Sequence, residues 1–242
     1  MNLKVLGRYG VFPAKNSCTS GYLITEKKTN IMMEMGSGIF SRISNYIAPE
    51  KLDAVIISHY HHDHMCDLLV LDYYLNTMTK LGKLDHKIPL YVPFLIGKQY
   101  ESLQQLQFFE FVTVKEKTKY KVGDVTLEFF PMNHNITCMG VKITAEDAVL
   151  SYTGDTRPND NLKKLFGGSD AVLCHCAVPS KYRTDEISHL STLEGATLAK
   201  EHDTKLLISH LNAAHDEKEI EAEAKSIYEN SAIVKELTDY LI

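Results

Sequence analysis

The sequence predicts an α/β domain with a histidine-rich site at its strand ends. Short runs rich in β-branched residues alternate along the chain with segments of helical spacing. The 242 residues suit one large domain with a sizeable core. Four apolar runs, at 54–57, 125–130, 148–153 and 205–209, stop just short of His59, His134, Asp155 and His210.

Residues 3–6, 21–25 and 30–34 read as strands, and Gly7, Gly10 and Pro13 mark a loop between the first two. Gly36-Ser37-Gly38 makes a tight turn before a short helix at 39–47, which Pro49 closes. A strand at 53–57 contains Ala54-Val55-Ile56-Ile57, a short apolar run that reads as buried. Met65, Leu68, Leu71, Leu75 and Met78 recur at helical spacing over 65–81, before Gly82. A strand at 88–91, a helix at 97–107 and a strand at 110–114 follow. Lys115, Lys117, Lys119 and Lys121 would share one face of an extended segment. That face reads as a phosphate-binding edge or as an edge strand kept from aggregating by lysine, and the second reading is preferred. Strands at 125–130, 138–143 and 148–153 come next, then a helix at 160–166 and a strand at 170–174. A helix at 192–202, a strand at 205–209, a charged helix at 216–230 and a short terminal strand complete the chain. No sequence repeat or long linker interrupts it, so residues 1–242 are expected to form a single domain.

The charge balance, 26 Lys+Arg against 31 Asp+Glu, argues against a protein that coats nucleic acid by bulk charge. A local basic groove stays open. No stretch approaches the roughly 20 apolar residues of a membrane span, so no membrane partner is expected. The N-terminus reads at once as a strand, without the apolar segment of a leader. Cys18, Cys66, Cys138, Cys174 and Cys176, odd in number and scattered, fit free thiols in a reducing, cytoplasmic compartment. Cys174-His175-Cys176 lacks the second pair of a structural zinc site and reads as strand-end packing.

Ser58-His59-Tyr60-His61-His62-Asp63-His64 gathers four of the chain's eleven histidines and a carboxylate within seven residues. A strand end is a rigid place to hang ligands. Neutral imidazole suits Zn, Fe, Ni or Cu, and a carboxylate adds a harder oxygen donor. His59 and His61, at i and i+2, can converge on one metal from an extended segment, while Asp63 and His64 can serve a second.

This stretch resembles the His-x-His-x-Asp-His signature of the metallo-β-lactamase superfamily. The downstream residues fall in that family's order. His134 stands where the family places the third ligand of the first metal. Ser151-Tyr152-Thr153-Gly154-Asp155-Thr156 resembles its Thr-Gly-Asp segment, whose Asp bridges two metals, and Ile208-Ser209-His210 resembles its final ligand. The resemblance implies an αββα four-layer sandwich of two mixed β-sheets with metals at one edge. It implies two divalent metal ions, Zn²⁺ ahead of Mn²⁺ or Fe. His59, His61 and His134 would hold the first, and Asp63, His64 and His210 the second, with Asp155 between them. Ser188-His189-Leu190-Ser191-Thr192-Leu193-Glu194-Gly195-Ala196 resembles the ribonuclease Z-like phosphodiesterase branch, in which a His opens a Ser/Thr-capped helix.

The catalytic residues this resemblance implies are Asp63, which would orient the nucleophile, and His189, which would serve the leaving group. A dinuclear centre generates hydroxide from bound water near neutral pH and suits attack on phosphorus. Two departures shape the expectation. The branch usually has an acidic residue near Leu173–Ala177 that positions the histidine corresponding to His189. Here no carboxylate occurs between Asp170 and Asp185, so His175 or a water is expected to substitute. Long-form ribonuclease Z carries a tRNA-gripping arm between the third histidine and the bridging Asp, and here those residues are only 21 positions apart. The expected function is therefore hydrolysis of small or cyclic phosphodiesters. An RNA-processing nuclease is the first alternative, and a non-hydrolytic metal-containing binding or redox module is the second. The expected partner is a small phosphodiester, with RNA and self-association into a homodimer left open. His86, His202 and His215 read as surface residues.

Overall fold

Side chains alternate across each strand, and that alternation builds the layers. The structure, a computed structural model, describes residues 1–94 and 103–242. The first sheet is made of β1 (Asn2–Gly7), β2 (Gly21–Glu26), β3 (Thr29–Met33), β4 (Ala54–Ile56), β5 (Ile88–Val92), β6 (Phe109–Thr113) and β14 (Asp239–Leu241), in the order β14-β1-β2-β3-β4-β5-β6. The second runs β13-β12-β11-β10-β9-β8-β7. Its strands are β7 (Lys119–Val122), β8 (Val125–Met132), β9 (Cys138–Thr144), β10 (Val149–Tyr152), β11 (Ala171–His175), β12 (Lys205–Ser209) and β13 (Ser231–Ile233).

Leu3, Val5, Tyr22, Ile24, Ile31, Met33, Ala54 and Ile56 point to one side and share an apolar cluster with Val125, Leu127, Phe129, Val141, Leu150, Leu173 and Leu207 of the second sheet. Their strand neighbours Leu6, Leu23, Met32 and Val55 point the other way, onto α1 (Ile39–Ile43) and α3 (Leu68–Lys80). Val172, Cys174, Leu206 and Ile208 do the same on the second sheet. They pack against α4 (Asn161–Phe166), α5 (Thr192–Glu201) and α6 (Glu217–Ile227). The result is the expected αββα four-layer sandwich with mixed sheets.

Several expectations are refined. The helix expected at 39–47 ends at Ile43 and continues as turns. The one expected at 65–81 is two elements, a single turn α2 (His62–Met65) and then α3. Met35 separates them: its N–H donates to the His64 carbonyl and its carbonyl accepts from the Asp67 N–H, so the helical ladder cannot run through. The four lysines do not share a continuous extended face. Lys117 has a left-handed φ of 62° in a turn, and strand β7 starts at Lys119. β7 ends its sheet, in keeping with lysine protecting an edge. Two short strands close the chain, β13 and β14, and β14 crosses to the first sheet beside β1. Most of the helix expected at 97–107 lies outside the described residues.

Candidate metal centre

Each candidate side chain arrives from the end of an element at one edge of the sandwich. His59 and His61 follow β4, and Asp63 and His64 ride on α2. His134 follows β8, Asp155 follows β10 and His210 follows β12. Two of these placements need unusual backbone. Gly154 has φ 59° and turns the chain into Asp155, and a Cβ there would stand 3.0 Å from Cys138 Sγ. His210 itself has φ 65°, and its ring lies against Gly10, where a Cβ would meet Nδ1 and Cε1 at 2.1 Å.

The structure brings all seven expected ligands together. His61 Nδ1 lies 3.0 Å from His59 Nε2 and 3.2 Å from His134 Nε2. His210 Nε2 lies 3.3 Å from His64 Nε2 and 3.2 Å from Asp63 Oδ2. Asp155 Oδ2 stands between these groups, 3.5 Å from both His59 Nε2 and His64 Nε2 and 3.7 Å from His134 Nε2. Two ligands on one tetrahedral metal at ordinary metal–nitrogen distances are about 3.3 Å apart, so these spacings suit donors that share an ion. One hydrogen bond accounts for only one of the two contacts at His61 Nδ1, which faces two ring nitrogens at once.

An outer partner fixes the tautomer of His134, and others flank His59 and His64. His134 Nδ1 lies 3.2 Å from the Ser188 carbonyl, which can only accept, so Nδ1 carries the proton and Nε2 is free. His59 Nδ1 is 2.9 Å from Ser58 Oγ. His64 Nδ1 is 3.6 Å from Glu34 Oε2, and both groups are fully buried. Glu34 Oε1 accepts from the Ser58 N–H at 3.0 Å. The Val11 N–H donates to Asp63 Oδ2 at 2.8 Å and holds that carboxylate toward the centre.

Burial pushes His59, His61 and His134 below the ordinary histidine range and leaves them neutral, as ligands must be. Burial alone would raise Asp63 and Asp155. The hydrogen bond from His210 to Asp63, and the charges of His64 and His210 beside both carboxylates, outweigh it and keep both ionised. His64 is raised instead: burial opposes its charge, but Asp155 and Glu34 more than compensate. Asp63, Asp155 and Glu34 have histidines as their ion-pair partners, and among the described residues no Lys or Arg pairs with them. Three sequestered carboxylates with only imidazoles as charged partners among the described residues suit a site for cations. The donor set therefore fits divalent metal, with His59, His61, His134 and Asp155 in one group and His64, Asp155, His175 and His210 in another.

His189 lies beside this cluster, with Nδ1 3.8 Å from Asp155 Oδ2 and its ring stacked on His210 at 4.9 Å. Burial holds it down at about 4. Ser191, two residues on, caps α5 in a full capping box with Glu194, so the helix start fixes the loop that carries His189. A cleft of about 300 Å³ opens over the cluster, lined by Val11, His61, Asp63, His134, Ser188 and His189 among others. None of Lys115, Lys117, Lys119 and Lys121 lines it.

Three residues depart from the sequence reading. Glu34 was not singled out; its one signal is a carboxylate directly after the apolar residues 31–33, at the end of the strand read at 30–34. His175 does not turn to His189. Its Nδ1 lies 2.7 Å from Asp155 Oδ1, because β11 runs parallel to β10 and its end falls beside that carboxylate. His215 is not a plain surface residue, since it stacks on Tyr182 at 5.1 Å and lines a small cavity with His189 and His210.

A family model described as "Beta-lactamase superfamily domain" matches residues 14–210. The curated protein "Probable metallo-hydrolase YhfI" of Bacillus subtilis is 30% identical over 231 residues, covering 94% of each chain. The crystal structure of the metallo-beta-lactamase fold protein YhfI from Bacillus subtilis has a TM-score of 0.93 at 29% identity, covering 99% of this chain and 98% of that one. A ribonuclease Z of Clostridium perfringens is 24% identical, with 96% of each chain covered. That alignment runs over 307 positions against the 242 residues here, so the ribonuclease has segments without a counterpart in this chain.

Proposed function

The chain belongs to the metallo-β-lactamase superfamily, and from that premise we propose that it is a dinuclear metal-dependent phosphodiesterase acting on small or cyclic phosphodiesters. The observation that carries the reading is Asp155 Oδ2, placed between two donor groups at 3.5 Å from His59 Nε2 and from His64 Nε2. His59, His61 and His134 would hold one divalent ion, Asp63, His64 and His210 the other, and Asp155 both. Five imidazoles and two carboxylates favour Zn²⁺, with Mn²⁺ next. Such ions, when bound, supply Lewis-acid stabilisation of phosphate oxygens and a low pKa for water.

The chain's own residues do the rest. Asp63, fixed by the Val11 N–H, would accept a hydrogen bond from the attacking oxygen and aim it. His189 flanks the centre and serves the leaving oxygen. Its neutral state in the free protein follows from burial, and a phosphodiester anion beside it would raise its pKa toward the range of a useful acid. The cleft of about 300 Å³ suits a compact substrate. So does the route from His134 to Asp155, which is filled by the β9–β10 hairpin. A cytoplasmic setting belongs to the same proposal and is supported by five free cysteines. Among the described residues no helix is long and apolar enough to cross a membrane.

The ribonuclease Z relative favours a second reading, cleavage of RNA. One experiment separates the two: purified protein loaded with Zn²⁺ or Mn²⁺ against aryl and cyclic phosphodiesters, phosphomonoesters, thioesters, lactams and pre-tRNA, at low and physiological salt. Phosphodiester turnover with kcat/KM nearly independent of salt is expected. Efficient, site-specific and steeply salt-dependent pre-tRNA cleavage would replace this reading with the second.

A further inference from the structure

We propose that His175, Tyr22 and Ser209 form a buried hydrogen-bonded relay that holds the Asp155 carboxylate in one orientation, which makes His175 a positioning residue of the metal centre. The inference rests on the metal-binding reading above. His175 Nδ1 and Asp155 Oδ1 are 2.7 Å apart, the length of a charge-assisted hydrogen bond. The ring nitrogens that converge as ligands are 3.0 to 3.3 Å apart. His175 is therefore a donor to Asp155 and not a further ligand.

The direction of every bond follows from that contact. A carboxylate only accepts, so the proton sits on Nδ1 and Nε2 keeps a lone pair. The Tyr22 hydroxyl, 3.1 Å from Nε2, must donate to it. Ser209 Oγ, 2.7 Å from the same hydroxyl, then donates to the Tyr22 oxygen. Tyr22, Ser209 and His175 are at most 1% exposed, so water does not compete for these bonds. Tyr22 comes from the first sheet, and His175 and Ser209 from the second, so the relay crosses the sandwich and ties both sheets to one carboxylate. It leaves Oδ1 toward His175 and His210, and Oδ2 toward His59, His64 and His134. The third position of the Cys174-His175-Cys176 run has a different task, since Cys176 packs tightly against Gly195 of α5.

The test compares wild type with His175→Phe, which keeps an aromatic ring, slightly larger, and removes the donor, and Tyr22→Phe, which removes one hydroxyl. The readouts are Zn²⁺ affinity by chelator competition, the visible spectrum of the Co²⁺-loaded protein, and the histidine tautomers of the metal-free protein by ¹⁵N NMR. Wild type is expected to show the Nδ1–H tautomer at His175. His175→Phe is expected to weaken Zn²⁺ binding about 10–100-fold and to shift the Co²⁺ bands. Tyr22→Phe should act in the same direction, less strongly, and loosen the tautomer preference. An Nε2–H tautomer in wild type, or a folded His175→Phe with unchanged affinity and spectrum, overturns the inference. Should His175→Phe not fold, an unchanged tautomer and Co²⁺ spectrum in Tyr22→Phe overturn it equally. A wild type that shows the Nδ1–H tautomer but takes up no metal removes the metal-binding reading itself, and the positioning role with it.

Discussion

Replacing Asp155 with alanine removes the carboxylate oxygen that stands 3.5 Å from His59 and His64 and 3.7 Å from His134. Two cations would then repel with nothing between them. Asp155→Ala is expected to lose metal and hydrolysis together, which elemental analysis beside a phosphodiester assay checks. Glu34→Gln leaves a group of the same shape but removes the charge opposite His64 Nδ1, and a drop in metal affinity of about 10–100-fold is expected in chelator competition. His189→Ala should keep its metal and lose about 10²–10⁴-fold in kcat on substrates with poor leaving groups. The loss should be smaller with a nitrophenolate leaving group, and equal losses on both would remove the acid role. At this scale the sequence was informative where donors cluster. His59, His61, Asp63 and His64 announce themselves by density, and His134, Asp155 and His210 by their place after apolar runs. Glu34 and His175 are single polar residues after strands, and their meaning comes from which strand lies beside which. No residue count along the chain contains that.

The strand ends carry the site, so close backbone approaches between elements should matter as much as the ligands. A Cβ on Gly10 would stand 2.1 Å from the His210 ring, and the imidazole would have to move. Gly10→Ala is therefore expected to fold, to show unchanged circular dichroism and to bind metal more weakly. Unchanged metal affinity would mean that His210 is not a ligand. The strands were legible because their residues alternate or run apolar between turn residues. The break between α2 and α3 was not, because Met35 makes it through backbone bonds from a distant loop. The lysine run was misjudged in extent for a similar reason: alternation predicts a shared face only if the segment is extended, and Lys117 turns it.

Across the whole molecule, each sheet shows one sequence of pairings. From β14 to β6 the neighbours are antiparallel as far as β3 and parallel from there. From β7 to β13 they are antiparallel as far as β10 and parallel from there. Glu34 follows β3 and Asp155 follows β10, the same position in each sheet. No repeat shows in the residues, since pairing direction tolerates any apolar side chains of the right pattern. The centre draws donors from both sheets, so metal should couple them. A ligand held at about 1,000 times its Kd stabilises by about 4 kcal/mol, which for a chain of this size shifts Tm on the order of 10 °C. Chelation should lower Tm by that order in a calorimetric scan. The claim beneath all of these expectations is a two-ion centre, and its most direct test is elemental analysis of protein stripped, reloaded and freed of excess metal. About two ions per wild-type chain, and a loss of both in Asp155→Ala, are the expected results. One ion or none in the reloaded wild type would contradict the account.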